Sequence, residues 1–222
     1  MINHNKKWLL YDDKNKIFFE KSFENVFNDS VWQWFDFFYK EIYAFEFSKT
    51  NCIYEMSDCI INKDDVVVDL GANVGFFTNY ASHKCKKVIS VEGGDAFFSC
   101  LVKNTYENNN IEYLNANIVS ESCKNITTWA NPTKINITLS DIFDLYKLDK
   151  IDFLKIDIEN NEYDVFKDID KSILSKIKKI AVEVHDINRN KQLIDNINQV
   201  SKNFFCFDWY VGSTVQTTFY FF

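Results

Sequence analysis

Two carboxylates end apolar stretches of this sequence at a spacing that suits a nucleoside-binding pocket. The stretch 66–70 contains three valines, then Asp69, and is followed by Gly71, while the stretch 87–92 ends at Glu92. A glycine turn after a buried strand lets the backbone approach a ligand, and an acid about 20 residues further on can accept hydrogen bonds from a ribose diol. Either feature alone would be an ordinary turn or a solvated strand end. Their combination favours a pocket.

The residue two positions after Gly71 narrows the choice of cofactor. A dinucleotide-binding turn has a glycine there, so that a pyrophosphate can lie on the helix N-terminus. Here the residue is Asn73, which favours a cofactor whose polar end is a zwitterionic amino acid, such as S-adenosylmethionine. From these two stretches we predict cofactor contacts at Asp69, Gly71, Ala72, Asn73, Gly75, Thr78 and Glu92.

A second set of ionisable residues lies in two later apolar stretches. Lys155 and Asp157 belong to 151–158, and His185 ends 179–185. A polar residue in an apolar strand is costly to bury unless it is paired or functional, and an acid or imidazole there can take a proton from a hydroxyl. We therefore predict Asp157, His185 and Lys155 as catalytic. Two alternatives stay open: Asp157 and His185 as ligands of Mg²⁺ or Mn²⁺, and Lys155 as an edge residue with a solvated amine.

The chain from residue 54 onward has the pattern needed to bring these strand ends together. Strand-length apolar runs alternate with helical stretches, which is typical of a parallel sheet with crossover helices. We predict an antiparallel hairpin at the end, around Gly212-Ser213. The predicted strands are 66–70, 87–92, 111–115, 152–158, 179–185, 204–211 and 214–222, and the predicted helices are 74–84, 95–108, 140–147, 161–176 and 190–202.

This pattern predicts an α/β fold, namely the seven-stranded Rossmann-like sheet of class I methyltransferases, with helices on both faces and the last hairpin antiparallel. A nicotinamide enzyme would more often end with a parallel sixth strand. In such a sheet the ligand lies at the carboxyl ends of the strands. Asn117, which follows the third strand, is then placed to meet the adenine amine of the cofactor.

The first 60 residues are unusually aromatic, and we interpret them as an N-terminal extension packed on a domain of residues 61–222. A turn-forming cluster at 12–15 favours a β-hairpin, and aromatic and apolar residues recur at helical spacing within 30–45. Three roles stay open for this helix: simple packing, a lid or sugar-stacking surface through Trp32 and Tyr39, and a homodimer interface.

Composition argues against several classes of function. A net charge of -7 and a pI near 5.0 disfavour a nucleic-acid-binding surface. The six cysteines show no metal-binding spacing and are typical of thiols in a reducing compartment. The sequence shows neither a signal-peptide core nor a membrane span, so we expect a cytoplasmic protein.

Four ordered blocks of this sequence resemble the FkbM-type S-adenosylmethionine-dependent methyltransferases, from about Asp65 to His185. The family signature K-[IV]-D-[VI]-E-G-x-E matches Lys155, Asp157, Glu159 and Glu162, with Asn160 in place of the glycine. Gly93-Gly94 replaces the proline that usually follows the acid of the second strand. The blocks are Asp69–Gly75, Thr138–Ile142, Ile151–Glu162 and Ala181–His185.

The resemblance implies methyl transfer to oxygen, often a hydroxyl of a sugar or of a natural product. We therefore expect an O-methyltransferase with a small-molecule or glycan acceptor, active in glycan biosynthesis. One alternative is a cofactor-binding or scaffold module that has lost activity, since two loops depart from the family pattern. A nucleic-acid methyltransferase is less favoured, because residues 157–160 read Asp-Ile-Glu-Asn instead of [DNS]-P-P-[YF].

Overall fold

A seven-stranded sheet organises the part of the chain that the computed structural model describes. The described residues are 8–12, 17–20, 52–125, 134–158, 161–185, 190–197, 204–211 and 214–222. The predictions for 30–45, including Trp32 and Tyr39, lie outside these ranges, as do Glu159 and Asn160 of the signature.

The strands are β1 (Trp8–Asp12), β2 (Ile17–Glu20), β3 (Val66–Leu70), β4 (Lys87–Glu92), β5 (Ile111–Asn115), β6 (Asn117–Ile118), β7 (Asn136–Ile137), β8 (Phe153–Ile156), β9 (Ile180–Val184), β10 (Phe204–Val211) and β11 (Thr214–Phe221). The helices are α1 (Phe76–Ser82), α2 (Asp95–Thr105), α3 (Leu139–Tyr146), α4 (Glu162–Val165), α5 (Lys171–Leu174) and α6 (Asn190–Ile197).

The main sheet has the strand order β10-β11-β9-β8-β3-β4-β5. Strands β3, β4, β5, β8 and β9 run parallel, and β11 pairs antiparallel with both β9 and β10. The predicted seven-stranded sheet with an antiparallel terminal hairpin is confirmed. The chain leaves β3 toward β5 and returns to β8 on the other side of β3, so the carboxyl ends of β3 and β8 flank the switch point where α/β proteins bind ligands.

The predicted N-terminal hairpin is also present, because β1 and β2 pair antiparallel. Strand β2 lies beside α2. The division of the chain at residue 60 stays a prediction. Within the described ranges, no helix is both long enough and apolar enough to cross a membrane.

Hydrophobic clusters cover both faces of the sheet, and strand alternation decides which residues join each cluster. On one face, Val67, Phe153 and Ala181 pack with Phe77 of α1 and with residues of the segment 52–61. The other face carries α3 to α6. Side chains two positions apart on a strand share a face. Asp69, Lys155 and Glu183 therefore lie on the α1 face.

Three predicted helices differ from the structure, and the one predicted at 95–108 ends at Thr105. The helix predicted at 74–84 begins at Phe76, because Asn73 and Gly75 have positive φ angles of 52° and 98° that a right-handed helix cannot contain. The helix predicted at 161–176 is two short helices, α4 and α5. Asp170 caps α5 by accepting a hydrogen bond from the backbone N–H of Ser172, and an N-cap residue has a non-helical backbone.

Candidate active site

The turn after β3 forms the floor of the site and requires a glycine at its first position. Gly71 has a φ of 78°, and a Cβ atom there would lie 1.7 Å from the carbonyl oxygen of Asp157. Any other residue would separate β3 from the exit of β8. The glycine therefore sets how closely the turn approaches the predicted catalytic residues.

Glu92 lies beside this turn, in the position predicted from the spacing. Its carboxylate accepts hydrogen bonds from the backbone N–H groups of Asn73, at 2.8 Å, and Gly94, at 2.6 Å. Burial raises the pKa of Glu92, and these two hydrogen bonds only partly offset that effect. The half-buried Asn117 is close by, since its Oδ1 atom would be 2.6 Å from a Cβ atom on Gly93. The glycine turn, the Glu92 carboxylate and the Asn117 amide thus lie close together at the carboxyl ends of the strands. This arrangement fits an adenosyl cofactor.

Asp69 and Thr78 were predicted to contact the cofactor, but neither side chain is exposed. The Thr78 hydroxyl donates to Asp69 Oδ2 at 2.6 Å and lies 2.6 Å from Ser90 Oγ. Asp69 points into the core of the α1 face because it is two residues after Val67. In this structure both side chains support the turn from below, and direct contact of either residue with the cofactor stays a prediction. Ala72 is also buried, with 3% of its surface exposed.

Lys155 is a buried cation at the centre of the site. Its Nζ atom lies 3.2 Å from Asp69 Oδ1 and 3.8 Å from Asp157 Oδ2, and it donates to the carbonyl oxygen of Gly71 at 2.8 Å. Burial lowers the pKa of Lys155, but the neighbouring carboxylates more than compensate and hold it above its ordinary value. Lys155 is thus buried and paired with acids, and the alternative of a solvated edge amine is wrong.

His185 is held by an acid whose role the sequence did not reveal. Its Nδ1 atom lies 2.5 Å from Oε1 of Glu162, which has no exposed surface. Its Nε2 atom lies 3.8 Å from both Asp157 Oδ1 and Glu183 Oε1. A carboxylate at one ring nitrogen fixes the hydrogen there and leaves the other nitrogen as a proton acceptor. Glu162 was visible only as the last residue of the family signature.

Tyr54 and Glu183 also belong to this group, and neither was predicted. The Tyr54 hydroxyl lies 2.7 Å from Glu183 Oε2 and 3.0 Å from Asp157 Oδ2. Burial, together with the charge of Asp157, raises the pKa of Glu183 to about 8. Glu183 had a usable signal, an acid inside an apolar strand. Tyr54 had none, because it precedes the sheet in the chain.

The site as a whole carries more acids than bases. Four carboxylates, from Asp69, Asp157, Glu162 and Glu183, surround Lys155 and His185. Ligand atoms of Asp157, Glu183 and His185 lie within 4.8 Å of one another, close enough for one divalent cation. The prediction that Asp157 and His185 bind a metal stays a prediction.

Comparison with known proteins gives one family and a common fold. The model of the methyltransferase FkbM domain matches residues 69–204, more than half of the chain. No curated protein matches the sequence.

Solved structures that resemble this chain include three methyltransferases. Methyltransferase FkbM from Methylobacillus flagellatus KT has a TM-score of 0.54 and 18% sequence identity, over 72% of this chain and 44% of that one. TrmK of M. capricolum, solved with S-adenosyl-homocysteine, has a TM-score of 0.50 and 12% identity, over 73% and 63%. The METTL16 MTase domain has a TM-score of 0.51 and 13% identity, over 74% and 61%. At these identities the likeness shows the fold alone, and this chain spans less than two thirds of the length of each.

Proposed function

This chain belongs to the FkbM methyltransferase family, and on that basis we propose that it transfers a methyl group from S-adenosylmethionine to a hydroxyl of a sugar, glycan or similar small acceptor. One observation carries the proposal. The turn with Glu92 lies at the same end of the sheet as a histidine and an acid that can handle a proton, His185 and Asp157.

The residues around the turn would hold the cofactor. Glu92 would accept hydrogen bonds from the ribose, Asn117 would meet the adenine, and the backbone of 71–75 would hold the amino-acid end. When bound, S-adenosylmethionine supplies a methyl group that its sulfonium already makes electrophilic. The chain then has to orient the acceptor and remove its proton.

His185 is the group best arranged to receive that proton. Glu162 holds Nδ1, so Nε2 is directed toward Asp157 and Glu183. We assign the proton of the acceptor hydroxyl to Nε2, with Glu162 stabilising the imidazolium that results. Asp157, with a quarter of its side chain exposed, would hold the acceptor hydroxyl beside His185.

The charge of the site supports a neutral acceptor. Even with Glu183 protonated, the three other carboxyl groups outnumber the one lysine and would repel a phosphate group near the reacting hydroxyl. A polyol such as a sugar has no such conflict, and its hydroxyls can donate to these carboxylates. The same argument disfavours a nucleic acid, whose backbone is polyanionic.

Methyl transfer to a panel of glycans and of small polyols, together with S-adenosylhomocysteine binding by calorimetry, tests the proposal. His185→Ala and Asp157→Asn should each lower turnover by about 100-fold or more and leave the dissociation constant of S-adenosylhomocysteine unchanged. Glu92→Ala should instead weaken that binding.

Three results would contradict the proposal or part of it. Loss of cofactor affinity in either catalytic variant would contradict the division of roles. Binding of S-adenosylhomocysteine with no transfer to any hydroxyl would favour the scaffold alternative. Transfer to RNA or DNA would overturn the assigned acceptor class.

A further inference from the structure

The segment Cys52–Ile61 precedes the sheet yet places a side chain inside the site. Tyr54 is 8% exposed, and its hydroxyl lies within hydrogen-bond distance of Asp157, 103 residues away, and Glu183, 129 residues away. The family match begins at residue 69. The part of the chain that identifies the family therefore does not contain everything that contacts the two acids.

We propose that Tyr54 is a positioning residue of the methyl-transfer site, which joins Asp157 to Glu183 and directs the free oxygen of Asp157 toward His185. This inference rests on the proposed function, because the orientation it explains is that of the groups that would handle the proton of the acceptor.

The two oxygens of Asp157 have different neighbours. Oδ2 lies 3.0 Å from the Tyr54 hydroxyl and 3.8 Å from Lys155 Nζ, whereas Oδ1 lies 3.8 Å from His185 Nε2. The two oxygens of a carboxylate are equivalent, so a half-turn restores the same arrangement, but a smaller rotation would break the hydrogen bond to Tyr54. The hydroxyl thus fixes the plane of the carboxylate, in which one oxygen faces the histidine.

The hydroxyl also relieves the proximity of two acids. Tyrosine has a single hydroxyl hydrogen and can accept as well as donate. The hydroxyl lies 2.7 Å from Glu183 Oε2 and 3.0 Å from Asp157 Oδ2, so it places a hydrogen-bonding dipole between the two acids.

The aromatic ring of Tyr54 is itself fixed. It packs edge-to-face on Phe77 with ring centroids 5.3 Å apart, and the ammonium of Lys155 lies 5.1 Å from its centroid. Both arrangements are favourable for an aromatic ring. The hydroxyl therefore has little freedom to leave the acids.

Hydrogen bonds on both sides hold the segment against the sheet. The Tyr220 hydroxyl of β11 donates to the carbonyl oxygen of Ile53, and Lys179 Nζ donates to that of Ile60 at 2.6 Å. Glu55 pairs with Lys84 at 2.5 Å. These contacts anchor the backbone without touching Asp157 or Glu183, and they supply a matched control.

Tyr54→Phe and Tyr220→Phe each remove one buried hydroxyl and keep the ring. Tyr54→Phe should lower kcat for the acceptor found in the glycan panel by about tenfold or more, with the S-adenosylhomocysteine dissociation constant unchanged. Tyr220→Phe should leave kcat near the wild-type value. An equal loss of kcat in both variants would reduce Tyr54 to an anchor of the segment and overturn the inference.

A spectroscopic measurement decides the inference even if the panel yields no acceptor. In carbon-detected NMR at neutral pH, the side-chain carboxyl signals of both Asp157 and Glu183 should shift in Tyr54→Phe and stay in place in Tyr220→Phe. Unchanged signals in Tyr54→Phe would show that the tyrosine does not bridge the acids. Absence of methyl transfer by the wild type would count against the proposed function alone.

Discussion

At the scale of the residue, the site is built around one buried ion-pair network. Lys155 is 3% exposed and Asp69 is fully buried, and Lys155 Nζ lies 3.2 Å from Asp69 Oδ1. Burying a charge costs several kcal/mol unless it is paired. Replacing one partner of a buried pair leaves the other charge buried without its partner. The destabilisation caused by such a replacement is therefore larger than the net stabilisation that the intact pair provides.

Lys155→Met should therefore destabilise the protein by about 3–5 kcal/mol in chemical denaturation. Adding Asp69→Asn to that variant should cost much less than Asp69→Asn costs alone, because the two residues share one interaction. Lys178→Met, at an exposed position, is the control and should have little effect. Additive losses in the double variant would contradict the pairing.

The raised pKa of Glu183 leads us to expect that the stability of the protein depends on pH. Its pKa is raised from the ordinary 4.5 to about 8, so the folded protein holds the proton more tightly than the unfolded chain does. The contribution of Glu183 to the free energy of unfolding is therefore complete at pH values below its pKa in the unfolded chain. It is lost as the pH rises through its pKa in the folded protein.

The free energy of unfolding of the wild type, relative to that of Glu183→Gln, should fall as the pH rises from about 5 to above about 8. Denaturation across this range in the presence of EDTA measures the difference, and the chelator removes any divalent cation. Glu112→Gln, an exposed acid on β5, should follow the wild type. A constant difference between wild type and Glu183→Gln would show that the acid is ionised throughout.

At the scale of the element, the turn between β3 and α1 leaves no room for a side chain at its first position. Gly71→Ala would have to adopt a positive φ and would also displace the exit of β8, where Asp157 lies. We expect a loss of more than about 1–2 kcal/mol, the cost of the left-handed backbone alone, together with loss of S-adenosylhomocysteine binding. Thermal shift and calorimetry measure the two effects.

Gly93→Ala is the matched comparison. A Cβ atom there would lie 2.6 Å from the side-chain oxygen of Asn117 and, at 3.6 Å, in ordinary contact with the carbonyl oxygen of Ala116. That side chain can rotate, so the variant should be clearly more stable than Gly71→Ala. Equal destabilisation of the two variants would mean that the contact with the Asp157 backbone is not what demands a glycine at position 71.

The strands of the sheet could be predicted from the sequence to within a residue or two, whereas some of the helix limits could not. The apolar runs that form β3 and β4 are bounded by charged residues and glycine, so their ends are visible locally. The start of α1 depends on the positive φ angles of Asn73 and Gly75. The break between α4 and α5 depends on whether Asp170 caps a helix or lies within one, which local pattern alone leaves open.

At the scale of the whole molecule, the sequence predicts which residues the first β-α-β unit brings together, but it predicts the group around His185 only in part. Gly71 and Glu92 belong to one β-α-β unit with a characteristic spacing. Asp157 and His185 could be expected to lie close together because the strand order brings β8 beside β3 and β9 beside β8. Tyr54 reaches the site through the tertiary packing of the segment 52–61. The sequence of this segment has no helix or strand periodicity, so no local pattern predicts where Tyr54 lies.

The bond between Tyr220 and Ile53 joins residues 167 positions apart, with a consequence for synthesis on the ribosome. Tyr54 is translated before β3, whereas the two acids that its hydroxyl contacts follow much later, just after β8 and on β9. A nascent chain halted before β8 would therefore contain the tyrosine and the glycine turn but neither of these acids. The bond to Tyr220 becomes available later still, once β11 has been translated.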